Sequence, residues 1–492
     1  MTAMEPLWLD RARPSHAPLA GDTAYDVAVV GGGIAGLLTG LLFARAGKSV
    51  GVLEARQVGD GTTGHTTGKV SLLQGTKLSR ILRQNPPSVA RAYVEANLEG
   101  QQWLRRFCVD HDVPFQERPA YTYAVTGTGE EKARAELAAA ELAGLTVTWV
   151  DDPDLPFDTR GAVCLDDQFQ LHPMDLLDAV TWQLLADGGN VHEFSRVLQV
   201  RRAGKGVELT TDQATVTAST VVLATSMPIL DRGVFFARLQ ANRSYAAALR
   251  SEWTPHGMYL SADRVTRSLR SVPADGEELL LVGGNGHVTG RGPSPKEQID
   301  GLVEWATSTF PRSEVTHTWS AQDHSSLTAL PYVGPLTPGS DDILVATGFD
   351  KWGFATAAAA AVLLSKTVLG HPPAWGTALR SWTPRELAGL ARAVRFNSGV
   401  GLQMFNGYLR RPLGHEPPAE GSADVHYEGL HPVADSTVDG QTHRVSAVCT
   451  HLRGVLRWND AERSWDCPLH GSRFGPDGQV LEGPATCPLP RR

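Results

Sequence analysis

The sequence predicts an α/β chain that ends in a small all-β unit, and three observations predict it. A strand, a glycine turn, a helical stretch and a second strand follow one another near the start. Alternating strand patterns fill the middle, and short strands rich in Trp, His and Gly close the chain. The opening run is Tyr25 to Val30 (YDVAVV), followed by apolar helical periodicity from Ile34 to Ala46 and a strand at Ser49 to Leu53. That is a βαβ unit, the start of an open sheet. Residues about 78 to 145 carry helical patterns, including Glu130 to Ala143. Met174 to Ala186 reads as a helix leading through Gly188 and Gly189 into strands near 191 to 224. From about 235 to 325 the pattern is an antiparallel sheet with one helix, Ser294 to Thr309. Ile343 to Ala346 and an alanine-rich helix after Gly353 complete this part. Arg410 to Asp424, dense in Pro, Gly and charge, reads as a boundary.

At about 150 residues per domain, 492 residues allow about three domains. With 42% hydrophobic and 20% charged residues, the composition is that of a soluble globular protein. A net charge of −8 excludes a generally basic nucleic-acid binder. Five cysteines are too few for a secreted disulfide scaffold. No run reaches the roughly 18 to 20 apolar residues of a membrane span; Ala355 to Leu364 reads as a buried helix. Met1 to Ala20 lacks the apolar core of a signal peptide. The expectation is a cytoplasmic protein.

Gly31, Gly33 and Gly36 form G-x-G-x-x-G between the first strand and its helix, and Glu54 follows Gly36 by 18 residues at the end of the second strand. Gly31 permits the tight turn, Gly33 a close approach to a pyrophosphate, and Gly36 helix-on-strand packing. The helix N-terminus supplies N–H groups to phosphate. Glu54 is placed to accept from adenosine ribose hydroxyls and to repel a 2′-phosphate. The pattern points to a dinucleotide and leaves NAD or FAD open.

Gly61 to Lys69 (GTTGHTTGK), Leu171-His172-Pro173, Val221 to Ser226 (VVLATS) and Ala346 to Gly353 (ATGFDKWG) resemble FAD-dependent oxidoreductases of the D-amino-acid oxidase/glycine oxidase superfamily over about residues 24 to 372. The resemblance implies extended FAD on a Rossmann-like domain, an inserted mixed β-sheet substrate domain, and hydride removal from a C–N bond to give an imine. Gly348, Phe349, Gly353 and Phe354 match the family's last motif, where a loop and helix N-terminus approach the flavin. Thr66, Thr67 and Lys69 match the loop beside the isoalloxazine. His65 in that loop is a candidate for covalent flavin attachment, the plainer reading being an unattached loop histidine near the cofactor.

Cys449-Thr-His451 precedes Cys467-Pro-Leu-His470 by 15 intervening residues. A Rieske [2Fe-2S] cluster needs two thiolates on one iron and two imidazoles on the other, and each of these loops supplies one of each. The spacing and the following Gly471-Ser472-Arg473-Phe474 resemble the Rieske family; a zinc site of two Cys and two His is the competing metal reading. The respiratory type has an extra cysteine in each loop, where this sequence has Gly454 and Leu469, and a hydrogen-bonding Tyr where Phe474 stands. Ser472 remains a donor toward a bridging sulfide, and fewer such bonds imply a lower potential. Trp458 and Trp465 read as domain core. Cys108, Cys164 and Cys487 read as plain thiols.

The domain expectation is therefore an extension over 1–23, an FAD-binding domain over 24–90, 160–234 and 326–383, and a substrate domain over 91–159 and 235–325. A linker over 384–424 and a Rieske domain over 425–492 follow. A flavin takes a hydride and a Rieske cluster one electron, so together they convert two-electron to one-electron traffic. Three readings compete: an amine or amino-acid dehydrogenase with the cluster as exit to an acceptor protein, an oxidase passing electrons to O₂, and a pure electron-transfer protein. A Rieske oxygenase is disfavoured, since no Asp/Glu-x₂-His-x₄-His pattern occurs among the 16 histidines. Substrate-site candidates are Tyr245, Gln322, His324 and Tyr332, each equally a residue of the sheet, with Arg243 or Arg238 for a carboxylate. Thr328 and Ala329 stand where relatives have a more polar stretch, which weakens any transfer of substrate.

Overall fold

The computed structural model describes residues 4–204, 206–274, 276–383 and 417–492, so most of the expected linker lies outside the described residues. The opening βαβ unit forms as the pattern requires. Strand Thr23–Val30 runs parallel to Val50–Leu53 on one side and to Thr215–Leu223 on the other. The sheet extends through Asn190–His192 at one edge, a hairpin of Val197–Ala203 and Gly206–Thr211, and Ile343–Thr347 parallel to Thr215–Leu223. Parallel strands buried on both faces read as apolar runs, as Val27 to Val30 do.

Helices Ile34–Arg45 and Gly353–Val368 cover this sheet. The second is so rich in alanine that a third helix, Pro87–Asp110, approaches it backbone to backbone. A Cβ at Gly100 would lie 2.1 Å from the carbonyl oxygen of Ala355. The helix Pro87–Asp110 thus straddles the expected boundary at residue 90 and packs on the nucleotide-binding side.

A second, eight-stranded sheet is built mainly from the 235–325 region. Its long antiparallel strands are Leu239–Arg250, Glu277–Val288 and Glu314–Ser326, in register as Arg243↔Gln322 and Tyr245↔Ser320. Three strands from earlier in the chain extend it: Ala120–Tyr123, Thr148–Val150 and Ala162–Leu165. The helix Pro295–Thr309 carries Ser294 as N-cap, whose hydroxyl accepts from the Glu297 amide.

The C-terminal region is all β, a three-stranded and a four-stranded antiparallel sheet around Trp465, Phe474 and Leu456. At the other end, residues 4–21 form a strap. Trp8, wholly buried, donates from Nε1 to the Thr66 carbonyl at 2.6 Å and meets His172 and Trp319 edge to face. Arg11 pairs with Asp175 and Asp178, and Arg13 with Asp60. No helix among the described residues is long and apolar enough to cross a membrane.

Candidate functional site

The glycine motif makes a cradle that no side chain could share. Gly31 has φ +112°, and a Cβ there would sit 2.6 Å from the Ala224 carbonyl oxygen. A Cβ on Gly36 would fall 1.9 Å from the Gly31 oxygen, so the helix can press on the turn only because residue 36 is glycine. Gly33 opens the helix with no side-chain cap. Glu54 accepts from the amides of Gly32 at 2.6 Å and Arg56 at 2.9 Å. Burial raises its pKa, and those amide bonds and Arg56 only partly offset that.

A cavity opens in front of this cradle. Gly31, Gly33, Glu54, Thr66, Gly348, Phe349, Gly353 and Phe354 all line it. Gly36 lies behind them. The other three loop residues turn elsewhere. His65 bonds through Nδ1 to the Gly61 carbonyl, the Thr67 carbonyl accepts from Arg270, and Lys69 donates from Nζ to the Tyr259 carbonyl and Ser268 Oγ. Thr62 and Thr63 from the same run do face the cavity; only the GTTGHTTGK composition hinted at them. The loop opposite is held by charge. Asp350 and Lys351 are left-handed, with φ +54° and +73°. The buried Asp350 carboxylate takes Lys77 Nζ at 2.7 Å, Arg80, and Ser325 Oγ at 2.6 Å.

The second centre lies in two tight turns of the C-terminal domain. The Cys449 amide donates to the Gly454 carbonyl at 2.9 Å; in the other turn Cys467 N–H reaches the Ser472 carbonyl and Gly471 N–H the Cys467 carbonyl. Both thiols are buried, and the rings of His451 and His470 stand 5.2 Å apart at 85°. Nδ1 of each ring is buried without a hydrogen-bond partner, a costly state unless a ligand takes the lone pair. Two thiolates and two free imidazole nitrogens are the donor set of a Rieske centre, and the residues fit it. Among the described residues no three His, Cys, Asp or Glu side chains are grouped as a single ion requires; a two-iron cluster asks for two pairs. Gly454 and Leu469 are neighbours, with a Gly454 Cβ falling 2.7 Å from the Leu469 side chain. Ser472 Oγ accepts from the Ala485 amide at 3.1 Å. Trp458 and Trp465 meet edge to face, with Trp465 in the core. Cys108 and Cys164 are buried thiols with pKa raised by that burial, and Cys487 is exposed.

The two centres share walls. Leu481 to Gly483, Ala485 and Thr486 of the C-terminal domain line the dinucleotide cavity. Gln322 donates from Nε2 to the Gly471 carbonyl at 2.8 Å and to Glu482 at 2.9 Å. Arg291 reaches the Pro468 carbonyl at 2.7 Å, and Phe236 meets the His470 ring edge to face. His324 faces the cavity and bonds through Nδ1 to Ser226 Oγ at 2.8 Å. Burial pushes its pKa down to about 4, against the opposing pull of Glu482 and the His470 backbone, so the ring is neutral at pH 7.

The remaining substrate candidates are spread apart. Arg243 lies beneath the C-terminal domain, bonded to Ser320 and to Glu462 at 2.6 Å. Tyr245 bonds to His287 at 3.0 Å, away from the cavity lining. Tyr332 is a core residue against Phe235, with the Arg238 guanidinium 4.1 Å from its ring centre and also over Phe235 and Trp382. Neither Arg238 nor Tyr332 lines the cavity.

A family model described as FAD dependent oxidoreductase matches residues 26–367, and one described as Rieske [2Fe-2S] domain matches 423–491. The chain belongs to the FAD-dependent oxidoreductase family. The Rieske 2Fe-2S iron-sulfur protein YhfW of Bacillus subtilis (strain 168) is 33% identical to this oxidoreductase over 486 residues, 97% of this chain and 95% of its own. Glycine oxidase from Geobacillus kaustophilus has the same fold at 19% identity and a TM-score of 0.60, covering 71% of this chain and 96% of its own. L-proline dehydrogenase from P. horikoshii does so at 14% identity and 0.60, covering 73% and 96%. The oxidoreductase binds FAD and, in its Rieske domain, a [2Fe-2S] cluster.

Proposed function

We propose that this oxidoreductase oxidises a small amine or amino acid at a C–N bond and passes the electrons through its Rieske cluster to an external acceptor. FAD supplies a hydride acceptor and the cluster a one-electron carrier. The observation that carries the reading is the shared wall: the Rieske segment Leu481 to Thr486 lines the same cavity as the glycine cradle. The substrate class rests on fold relatives named glycine oxidase and L-proline dehydrogenase. Free cysteines fit a reducing compartment such as the cytoplasm.

Within the chain, each residue has a physical task. The helix Gly353–Val368 points an uncapped N-terminus at the cavity, where its partial positive charge favours an electron-rich ring. His324, kept neutral, orients Ser226 and adds no charge of its own. Glu482 and Leu481 line the cavity on the Rieske side.

One observation favours the electron-transfer reading instead. Of the two arginines offered for a substrate carboxylate, Arg243 already holds Glu462 and Arg238 lies over Phe235, Tyr332 and Trp382. Two measurements separate the readings. Anaerobic photoreduction of the flavin followed by EPR is expected to show the cluster signal growing as the flavin reoxidises; reduced flavin persisting beside an oxidised cluster overturns intramolecular transfer. Anaerobic mixing with a panel of amines and amino acids is expected to bleach the flavin with at least one; bleaching by none favours the electron-transfer protein.

A further inference from the structure

The histidine side of the cluster is closed by the flavoprotein domain, and one contact there goes beyond packing. His451 presents a buried, unpartnered Nδ1 on the cluster side and its Nε2 on the other. That Nε2 lies 2.7 Å from Oδ1 of Asp231, 220 residues earlier in the chain and part of the FAD-binding domain. The imidazole side chain is 7% exposed and the carboxylate 53%.

The backbone around Asp231 is shaped to present it. The Asp231 carbonyl accepts from the Val234 amide at 3.2 Å, closing a turn. Gly233 there has φ +85° and Val234 φ +56°. A β-branched residue in the left-handed region is a true outlier, and such strain is retained where surrounding structure fixes it. Here the fixing is visible. A Cβ on Gly233 would meet the Leu336 carbonyl at 2.3 Å, and Phe235 packs beneath in the core. Two residues upstream, Ile229 lines the FAD cavity. One short segment therefore runs from the flavin site to a cluster ligand.

We propose that Asp231 is a positioning residue for the cluster, supplied by the flavoprotein domain, that fixes the ring of His451 and lowers the cluster's reduction potential. The chemistry follows from the ring. An imidazole that binds iron through Nδ1 carries its proton on Nε2, and a carboxylate accepting that proton makes the ring a stronger electron donor. The carboxylate also adds a negative charge beside a centre that gains one electron on reduction. Both effects stabilise the oxidised cluster. No bond breaks, and the only change is the equilibrium of a one-electron step. The potential is thereby tied to docking, because the carboxylate reaches His451 only with the Rieske domain seated on its neighbour.

The test is a potentiometric titration of the full-length holoprotein followed by EPR of the reduced cluster, comparing wild type with Asp231→Asn and Asp231→Glu. Asp231 is half exposed, so Asp231→Asn is expected to fold and to load iron. Its equilibrium for cluster reduction is expected to become about tenfold more favourable, a rise of about 59 mV for one electron. Asp231→Glu restores the wild-type midpoint. Cluster lost from Asp231→Asn but kept in Asp231→Glu also supports the proposal, through ligand retention. A wild-type midpoint in Asp231→Asn overturns it, as does an equal rise in both variants.

Discussion

Arg243 gives its guanidinium to Glu462 at 2.6 Å, from the long strand of the flavoprotein sheet to the Rieske domain, and the arginine is only 1% exposed. Around them stand Asp466, Arg473 and Glu482; Arg473 alone reaches Glu462, Asp466 and Glu482 at 3.1 to 3.2 Å. A charge network so withdrawn from water stabilises only when complete, since a single deletion strands the partner's charge.

Arg243→Met is therefore expected to lower stability by about 3 to 5 kcal/mol, as a broken buried pair does. Adding Glu462→Gln removes one of the stranded charges and recovers part of that loss. Thermal unfolding of the single and double variants checks this. A double variant no more stable than Arg243→Met contradicts it.

The same pair predicts a pH dependence. Burial alone would raise the Glu462 carboxyl, but Arg243 and Arg473 outweigh it and hold the group down to about 2, below the ordinary 4.5. A depressed folded-state value contributes stability above pH 4.5 that is lost as pH falls toward 2. The contribution is on the order of 3 kcal/mol. Denaturant unfolding at descending pH should show the gap between wild type and Glu462→Gln narrowing through that window. A gap that stays constant means the carboxylate is not held in this way.

Trp8 ties the strap to the flavin loop through the Thr66 carbonyl. Trp8→Ala is expected to cost about 3 to 5 kcal/mol in lost packing and to loosen that loop. The flavin-to-protein ratio after exhaustive dialysis should fall, while Trp8→Phe retains more flavin.

In the cradle, Gly36→Ala puts a methyl against the Gly31 oxygen and is expected to give protein without flavin. Gly127→Ala, with nothing within 4 Å of the added carbon, serves as its control and should bind normally. Flavin absorbance per protein decides between them.

Much of this was legible because the chemistry is local in sequence. The cradle needs its glycines within one turn between a strand and a helix, and the cluster needs thiolate and imidazole in each of two short loops, so spacing read with its flanking residues pointed to Gly31 to Gly36 and Cys449 to His470. The contacts between domains obey no such spacing. Arg243 stood beside Arg238 as a candidate for a substrate carboxylate, yet the carboxylate it holds is Glu462, 219 residues away. Asp231 carried no signal at all. Lys69, placed at the flavin by its loop, turns instead to Tyr259 and Ser268 because the inserted sheet offers its ammonium two oxygens. Tyr332 and Arg238 form a cation–π stack, a tertiary arrangement that residue type alone does not reveal.

Two glycines meet the interface from opposite sides. Gly290, at φ +66°, would press a Cβ to 2.8 Å from the Pro468 Cα, and Gly471, at φ +79°, would press one to 2.5 Å from the Ala241 Cβ. Each domain has thus given up a side chain where the other presses close. A side chain at either point would hold the Rieske domain off from its neighbour. At these two points the halves are a matched set.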